Sequence, residues 1–172
     1  MYDQGLAEYL SILYTDLRYA FREYRPEAVA AIYNKEKKVL MTQSREHRVW
    51  APLQEGIRKG ESLRKGFLRG VKEEVGILQD DLDKTSIVLG FYRGCLITKG
   101  RSRDGFSGKE YFYSTAEYVG DGNLKKGPEV SDAAWMQHDE VVDNMRSSGV
   151  NEDKIQLTQN ALEILHGKGL VM

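Results

Sequence analysis

Apolar positions along the chain alternate between a helical period and a strand period. Over residues 6–24, Leu6, Leu10, Leu13, Leu17 and Phe21 recur three or four apart, which predicts one face of an amphipathic helix. Such a stripe is too apolar to leave in water, so the helix is expected to bury it, on its own sheet or in a homodimer. Pro26 ends this helix, because the residue before a proline avoids the helical region. EAVAAIYNKEKKVLMTQSR then reads as two strands around a polar turn at 34–37. A loop, LQEGIRKGE, follows Trp50. Residues 62–75 read as a second helix, with Ser62 as its cap and Gly76 as a left-handed terminator. TSIVLGFYRGCLIT and KEYFYSTAEYVG are strand-like and joined by KGRSRDGFSG, and 133–136 is a further short strand. Asp139 is placed to cap a helix running through Met145, and a last helix carries Ile155, Leu157, Leu162 and Leu165. This order predicts an α/β fold of the α+β kind: a mixed sheet sandwiched between helices, with an extra N-terminal helix.

Composition narrows the picture. A chain of 172 residues, 41% hydrophobic, suffices for one domain: an N-terminal helix over 1–24 and a core over 25–172. Charged residues nearly cancel at net −1, so bulk charge gives no reason to expect non-specific nucleic-acid binding. The single cysteine, Cys95, has no internal partner, which fits a reducing cytoplasm, and its apolar neighbours predict a buried, inert thiol. His47, His138 and His166 lie far apart and form no zinc-ligand spacing. No apolar run is long enough to cross a bilayer and the N-terminus has no uninterrupted apolar signal region, so a cytoplasmic protein without a membrane partner is expected.

Candidate chemistry concentrates in GESLRKGFLRGVKEEVGI, residues 60–77. On a helix Arg69 and Glu73 share a face, Glu74 projects about a quarter turn round, and Glu61 sits just before the positive amino end. Gathered carboxylates suit hard divalent cations, which prefer oxygen ligands and often bridge protein to phosphate. On residue types alone, an exposed charged face that merely solvates explains them as well.

The spacing discriminates. In its offsets the segment resembles the Nudix box, G-x5-E-x7-R-E-U-x-E-E-x-G-U, with U a bulky aliphatic. Glu61, Arg69, Val71, Glu73, Glu74, Gly76 and Ile77 fall on its defined positions. WAPLQEGI resembles the W-x-x-P-Q-G-G-I segment of MutT-like enzymes such as bacterial RNA pyrophosphohydrolase and the diadenosine tetraphosphate hydrolases, and GPEVSDAAWM resembles a later segment with a glutamate before a tryptophan strand. The resemblance covers about residues 27–165. It implies a pyrophosphohydrolase that uses Mg2+ or Mn2+ to cleave a nucleoside diphosphate linked to another group. It also implies Glu73 and Glu74 as metal ligands, Glu61 and Arg69 as the residues holding them, and Glu129 as a late catalytic carboxylate. Arg69 as a plain salt-bridge partner and Glu129 as an ordinary loop residue are the alternatives.

Two positions depart from the box. Gly70 stands where the family has the glutamate of its R-E pair, and Glu55 stands where it has its first glycine. Three readings follow: Glu55 or Glu129 supplies the missing carboxylate; one metal remains and turnover is slow; or hydrolysis is lost and the fold is a nucleotide-binding or regulatory module. With Arg69 still beside it, Gly70→Glu is expected to increase hydrolysis. Arg45, Arg48 and Lys109, with Arg101 and Arg103, are candidate contacts for substrate phosphates, and one ring among Tyr111, Phe112 and Tyr113 is a candidate to stack on a base. Candidate partners are a nucleotide, another small diphosphate-containing molecule, and a capped or triphosphorylated RNA end.

Overall fold

The computed structural model describes residues 4–21, 23–97 and 105–172. Its elements run α1 (Gln4–Phe21), β1 (Tyr24–Tyr33), β2 (Val39–Ser44), β3 (Trp50–Ala51), β4 (Leu53–Gly56), α2 (Leu63–Val75), a 3-10 turn (Gln79–Asp81), β5 (Val88–Ile97), β6 (Gly108–Glu117), β7 (Val130–Met136), α3 (His138–Ser147) and α4 (Glu152–Gly167). Arg101 and Arg103 lie outside the described residues.

The seven strands form one mixed sheet in the order β3-β2-β1-β6-β5, with β4 added to β1 and β7 to β2. β1 and β6 are parallel, from Tyr24 opposite Gly108 to Tyr33 opposite Glu117. Central parallel strands covered on both faces read as continuous apolar runs, and AVAAIY in β1 is buried throughout. Alternation sorts those side chains. Ala28, Ala30 and Ile32 join Phe67, Val71 and Val75 of α2 in one cluster. Ala31 and Tyr33 join Val141 and Met145 of α3 and Ile155, Leu162 and Leu165 of α4 in another. The expected helix–sheet–helix sandwich is therefore present.

Several local expectations change. Leu53–Gly56, expected as loop, is a strand, because its backbone pairs antiparallel with Glu27–Ala30 and buries Leu53. α3 starts two residues earlier than expected, in a capping box formed by Gln137 and Glu140 instead of an Asp139 cap. Cys95 is exposed, since it lies on β5 at the sheet edge. Folding brings His138 and His166 together as stacked rings 5.5 Å apart, although among the described residues no three His, Cys, Asp or Glu groups form a metal cage.

Of the two coverings expected for the α1 stripe, the structure removes one: it is not buried on the protein's own sheet. Leu6, Leu10, Leu13, Leu17 and Phe21 are all exposed, and the helix instead turns its polar side to the body of the protein. The reason is hydrogen bonding. The segment between β4 and α2 carries backbone groups that no ladder satisfies, and buried backbone groups need partners. Ser11 Oγ accepts from the Leu63 amide at 2.9 Å, Asp16 accepts from the Gly60 amide at 2.8 Å, and the Thr15 and Tyr19 hydroxyls donate to the carbonyls of Glu61 and Ile57. Tyr14 donates to the buried Glu110 carboxylate, which also pairs with Arg18 at 3.0 Å. No helix among the described residues is long and apolar enough to cross a membrane.

Candidate active site

α2 starts where the Ser62 hydroxyl accepts from the Lys65 amide, and it ends at Gly76, whose φ of 72° is the left-handed conformation a terminating glycine adopts at little cost. One flank, with Phe67, Gly70, Val71 and Val75, packs on the sheet. The edge of that flank carries the carboxylates.

Arg69 organises them. Its guanidinium donates to both Glu61 oxygens at 2.9 and 2.8 Å, to the Gly56 carbonyl at 2.7 Å and to Glu73 at 3.4 Å, and it pairs with Glu55 at 2.9 Å. A planar fork fits several oxygens at once, which a lysine cannot do. The Glu61 hydrogen bond pushes the already high Arg69 pKa further up, with Glu55 adding to it against the cost of burial. Burial works against the Glu61 charge, yet the Arg69 hydrogen bond and the Arg58 amide hold its carboxyl below the usual range. Arg58 also lies 3.8 Å from Glu73.

Glu74 has the opposite surroundings. Burial, followed by the nearby Glu55, Glu129 and Glu73 charges, pushes its carboxyl up to about 8. The loop that brings Glu129 there is tied to the end of α2: the Lys125 and Gly127 amides donate to the Val75 and Glu74 carbonyls at 2.8 and 2.7 Å. Across the loop, the Arg45 amide donates to the Glu129 carbonyl, and its guanidinium donates to the Val130 carbonyl.

Gly70 and Glu55 face each other across this packing. A Cβ on Gly70 would sit 2.7 Å from Glu55 Cβ and 3.2 Å from its Cγ. The two departures from the box are thus one exchange: the side chain missing from α2 is present on β4, and it points into the space the missing one would take. Gly70 is needed here because Glu55 leaves no room for anything larger. Gly70→Glu is therefore expected to crowd the site instead of improving it.

The fold therefore brings Glu61, Arg69, Glu73, Glu74 and Glu129 together with Glu55. The phosphate-binding candidates behave differently. Arg45 borders the Glu129 loop; Arg48 is exposed in the β2–β3 turn with a φ of 58°. Lys109 is on the α4 side of the sheet, paired with Glu27 at 2.8 Å. Tyr111, Phe112 and Tyr113 are buried; the Tyr113 hydroxyl hydrogen-bonds to Thr158, and Phe112 lines the hollow under α1 instead of the carboxylate cluster. α1's hold on the loop before α2 had no signal in the sequence, because its polar positions read as a solvent face.

Beside Lys109, burial pushes the Lys154 ammonium down to about 8, helped by the Lys109 charge and opposed by Glu27. A lysine whose folded pKa lies below its usual 10.5 destabilises the fold fully below pH 8, and the penalty fades as pH rises from about 8 to 10.5. Lys154→Met is expected to stabilise the protein at pH 7 by at most about 3 kcal/mol. Urea melts at a series of pH values should show that gain vanishing by about pH 10.5; a gain independent of pH would sink the assignment.

The donor set suits a hard divalent cation: carboxylate oxygens crowd Glu74, and the arginine sits to one side. Among the described residues no three side chains form a closed ligand cage. Magnesium does not require one, since it keeps several waters and commonly binds through one or two carboxylates plus substrate phosphate.

Known proteins share the fold. The NUDIX domain model matches residues 23–159. No curated protein matches the chain in sequence. Among solved structures, the chain is similar to the dihydroneopterin triphosphate pyrophosphohydrolase of E. coli, with a TM-score of 0.64, 17% identity and coverage of 80% of this chain and 96% of that one. It is also similar to an Ap4A hydrolase of C. elegans in a binary complex (0.60, 16%, covering 82% and 98%). A third is the NUDIX domain of Shewanella oneidensis NrtR complexed with ADP ribose (0.61, 21%, covering 85% and 91%). At these identities the structures speak for the fold, and the domain match, over most of the chain, shows that the protein belongs to the NUDIX family.

Proposed function

We propose that this protein is a Mg2+- or Mn2+-dependent pyrophosphohydrolase that cleaves a nucleoside diphosphate linked to another moiety, with Glu55 replacing the carboxylate absent at Gly70. The carrying observation is the Glu55–Gly70 exchange. A site drifting out of use has no reason to lose a carboxylate at one position, gain it at the facing one and keep it on the same arginine. Two of the structural neighbours are named for dihydroneopterin triphosphate and Ap4A, and the third is complexed with ADP ribose; all three molecules contain a phosphate–phosphate linkage.

In this reading Glu74 and Glu73 hold the metal, and Glu55 and Glu129 complete the negative surface around it. Arg69 positions Glu55, Glu61 and Glu73 by their common hydrogen bonds and takes no part in bond making. Arg45, beside the Glu129 loop, is the candidate to meet the remaining phosphate charge. A bound metal would neutralise phosphate oxygens, orient the diphosphate and lower the pKa of an attacking water.

Manganese is expected to raise the melting temperature, because a ligand that binds only the folded state at one hundred times its Kd adds about 2.7 kcal/mol. Calorimetry on the Glu73→Gln, Glu74→Gln double variant should show that binding lost. Glu74→Gln alone is expected to raise the metal-free melting temperature at pH 8, since it removes a half-buried charge facing three carboxylates. Unchanged manganese affinity in the double variant would remove the metal assignment. Manganese-dependent phosphate or nucleotide release across nucleoside triphosphates, dinucleoside polyphosphates, nucleotide sugars and triphosphorylated RNA tests the activity itself. Binding without release across the panel would leave a nucleotide-binding module.

A further inference from the structure

α1 is inside out. Every exposed position of the helix whose side chain is described is apolar or glycine: Gly5, Leu6, Ala7, Tyr9, Leu10, Leu13, Leu17, Ala20 and Phe21. Its polar residues Glu8, Ser11, Thr15, Asp16 and Arg18 face inward, and each is held by a hydrogen bond or ion pair to the rest of the chain. These bonds lock the rotation of the helix, so the leucine stripe cannot be buried on its own sheet without breaking them.

We propose that a second copy of this chain covers the stripe, α1 against α1 in antiparallel contact about a two-fold axis. Three observations select that occupant. The spacing of Leu6, Leu10, Leu13 and Leu17 is four, three, four, which reads the same in both directions. An antiparallel copy therefore sets Leu6 against Leu17 and Leu10 against Leu13 in every layer, as a self-complementary two-fold interface requires. The alternating four and three steps are also the seam spacing that lets two helices pack at a shallow angle. Finally, Leu6, Tyr9, Leu10, Leu13, Leu17 and Phe21 are 42% to 77% exposed. Covering them removes roughly 600 Å² per copy, near the about 800 Å² per partner of a stable dimer.

The contact has a consequence for the site. The same helix that would form the seam holds the Ile57, Gly60 and Glu61 backbone on its other side, so dimerisation presses α1 onto the loop that carries Glu61.

Sedimentation equilibrium on the whole chain and two variants tests this. Wild type is expected at twice the chain mass of 19.6 kDa. Leu10→Glu with Leu13→Glu places like charges opposite each other at the centre of the seam and should weaken self-association at least about a hundredfold. Because both positions face solvent in the monomer, far-UV circular dichroism should be unchanged. Leu10→Glu with Leu13→Lys sets opposite charges across the antiparallel seam and should recover much of the association. A monomeric wild type, whether or not it then binds lipid vesicles or another protein, overturns the proposal. So does a Glu–Glu variant that remains dimeric. A Glu–Lys variant that associates no better than the Glu–Glu variant overturns the antiparallel arrangement.

Discussion

Gly70→Glu, made alone, is expected to lower the melting temperature by roughly 5 °C in a metal-free buffer. Helix propensity favours the change by somewhat less than 1 kcal/mol, because glycine is a poor helix former. Sterics oppose it. The new Cβ would lie 2.7 Å from Glu55 Cβ, the root of that side chain, so no rotation of Glu55 relieves the contact and β4 or α2 must shift. Overpacking of this kind typically costs 1–3 kcal/mol. A further carboxylate beside Glu74, whose carboxyl is already pushed up by burial and by three other carboxylates, adds to the cost. Thermal melts in EDTA and in manganese would read both effects. A variant as stable as wild type in EDTA would mean that β4 and α2 part at little cost and that Glu55 does not restrict position 70 to glycine.

Arg69→Met is expected to cost about 3 kcal/mol or more, the usual range for removing one partner of a buried ion pair. The guanidinium is 14% exposed and the Glu61 side chain 13%, so water does not replace what is lost. The variant leaves the Glu61 and Glu55 carboxylates without their cation and the Gly56 carbonyl without its donor. Arg69→Lys should fall between, because one ammonium reaches fewer oxygens than a planar fork. The pH dependence has a definite sign. Glu61 is held below the usual carboxylate range, so its contribution is present at neutral pH and is lost as pH falls through the folded value. Arg69→Met should therefore flatten the loss of stability on acidification. Urea melts at neutral and acid pH measure both; a loss under about 0.5 kcal/mol would show that Arg69 organises nothing.

The parts of this molecule legible in sequence were those set by local pattern. The Ser62 cap and the Gly76 terminator define α2 through short-range rules, and the carboxylates follow from its pitch. The exchange between Glu55 and Gly70 was visible only as two separate departures, because nothing in a one-dimensional reading puts residue 55 against residue 70. That needs the packing of α2 on β4. What covers α1 escapes the sequence for a related reason. Apolar periodicity says that a stripe will be covered but not by what. Here the backbone groups of the loop before α2 claimed the polar face first. Leu53–Gly56 reads as loop in the sequence because a short strand gives alternation too few positions, and its pairing with β1 is long-range.

Turnover in a double-mutant cycle tests the central claim most directly. Glu55→Gly should lose manganese-dependent hydrolysis by about ten- to a hundredfold, the usual cost of removing a carboxylate that supports a metal site. Gly70→Glu alone should be impaired by the clash. Combined, Glu55→Gly and Gly70→Glu restore the arrangement of the Nudix box, and the double variant should recover activity to within a few-fold of wild type, a large coupling between facing positions. A double variant no more active than Glu55→Gly, with its fold intact by melting temperature, would contradict the claim that these positions are interchangeable sources of one carboxylate.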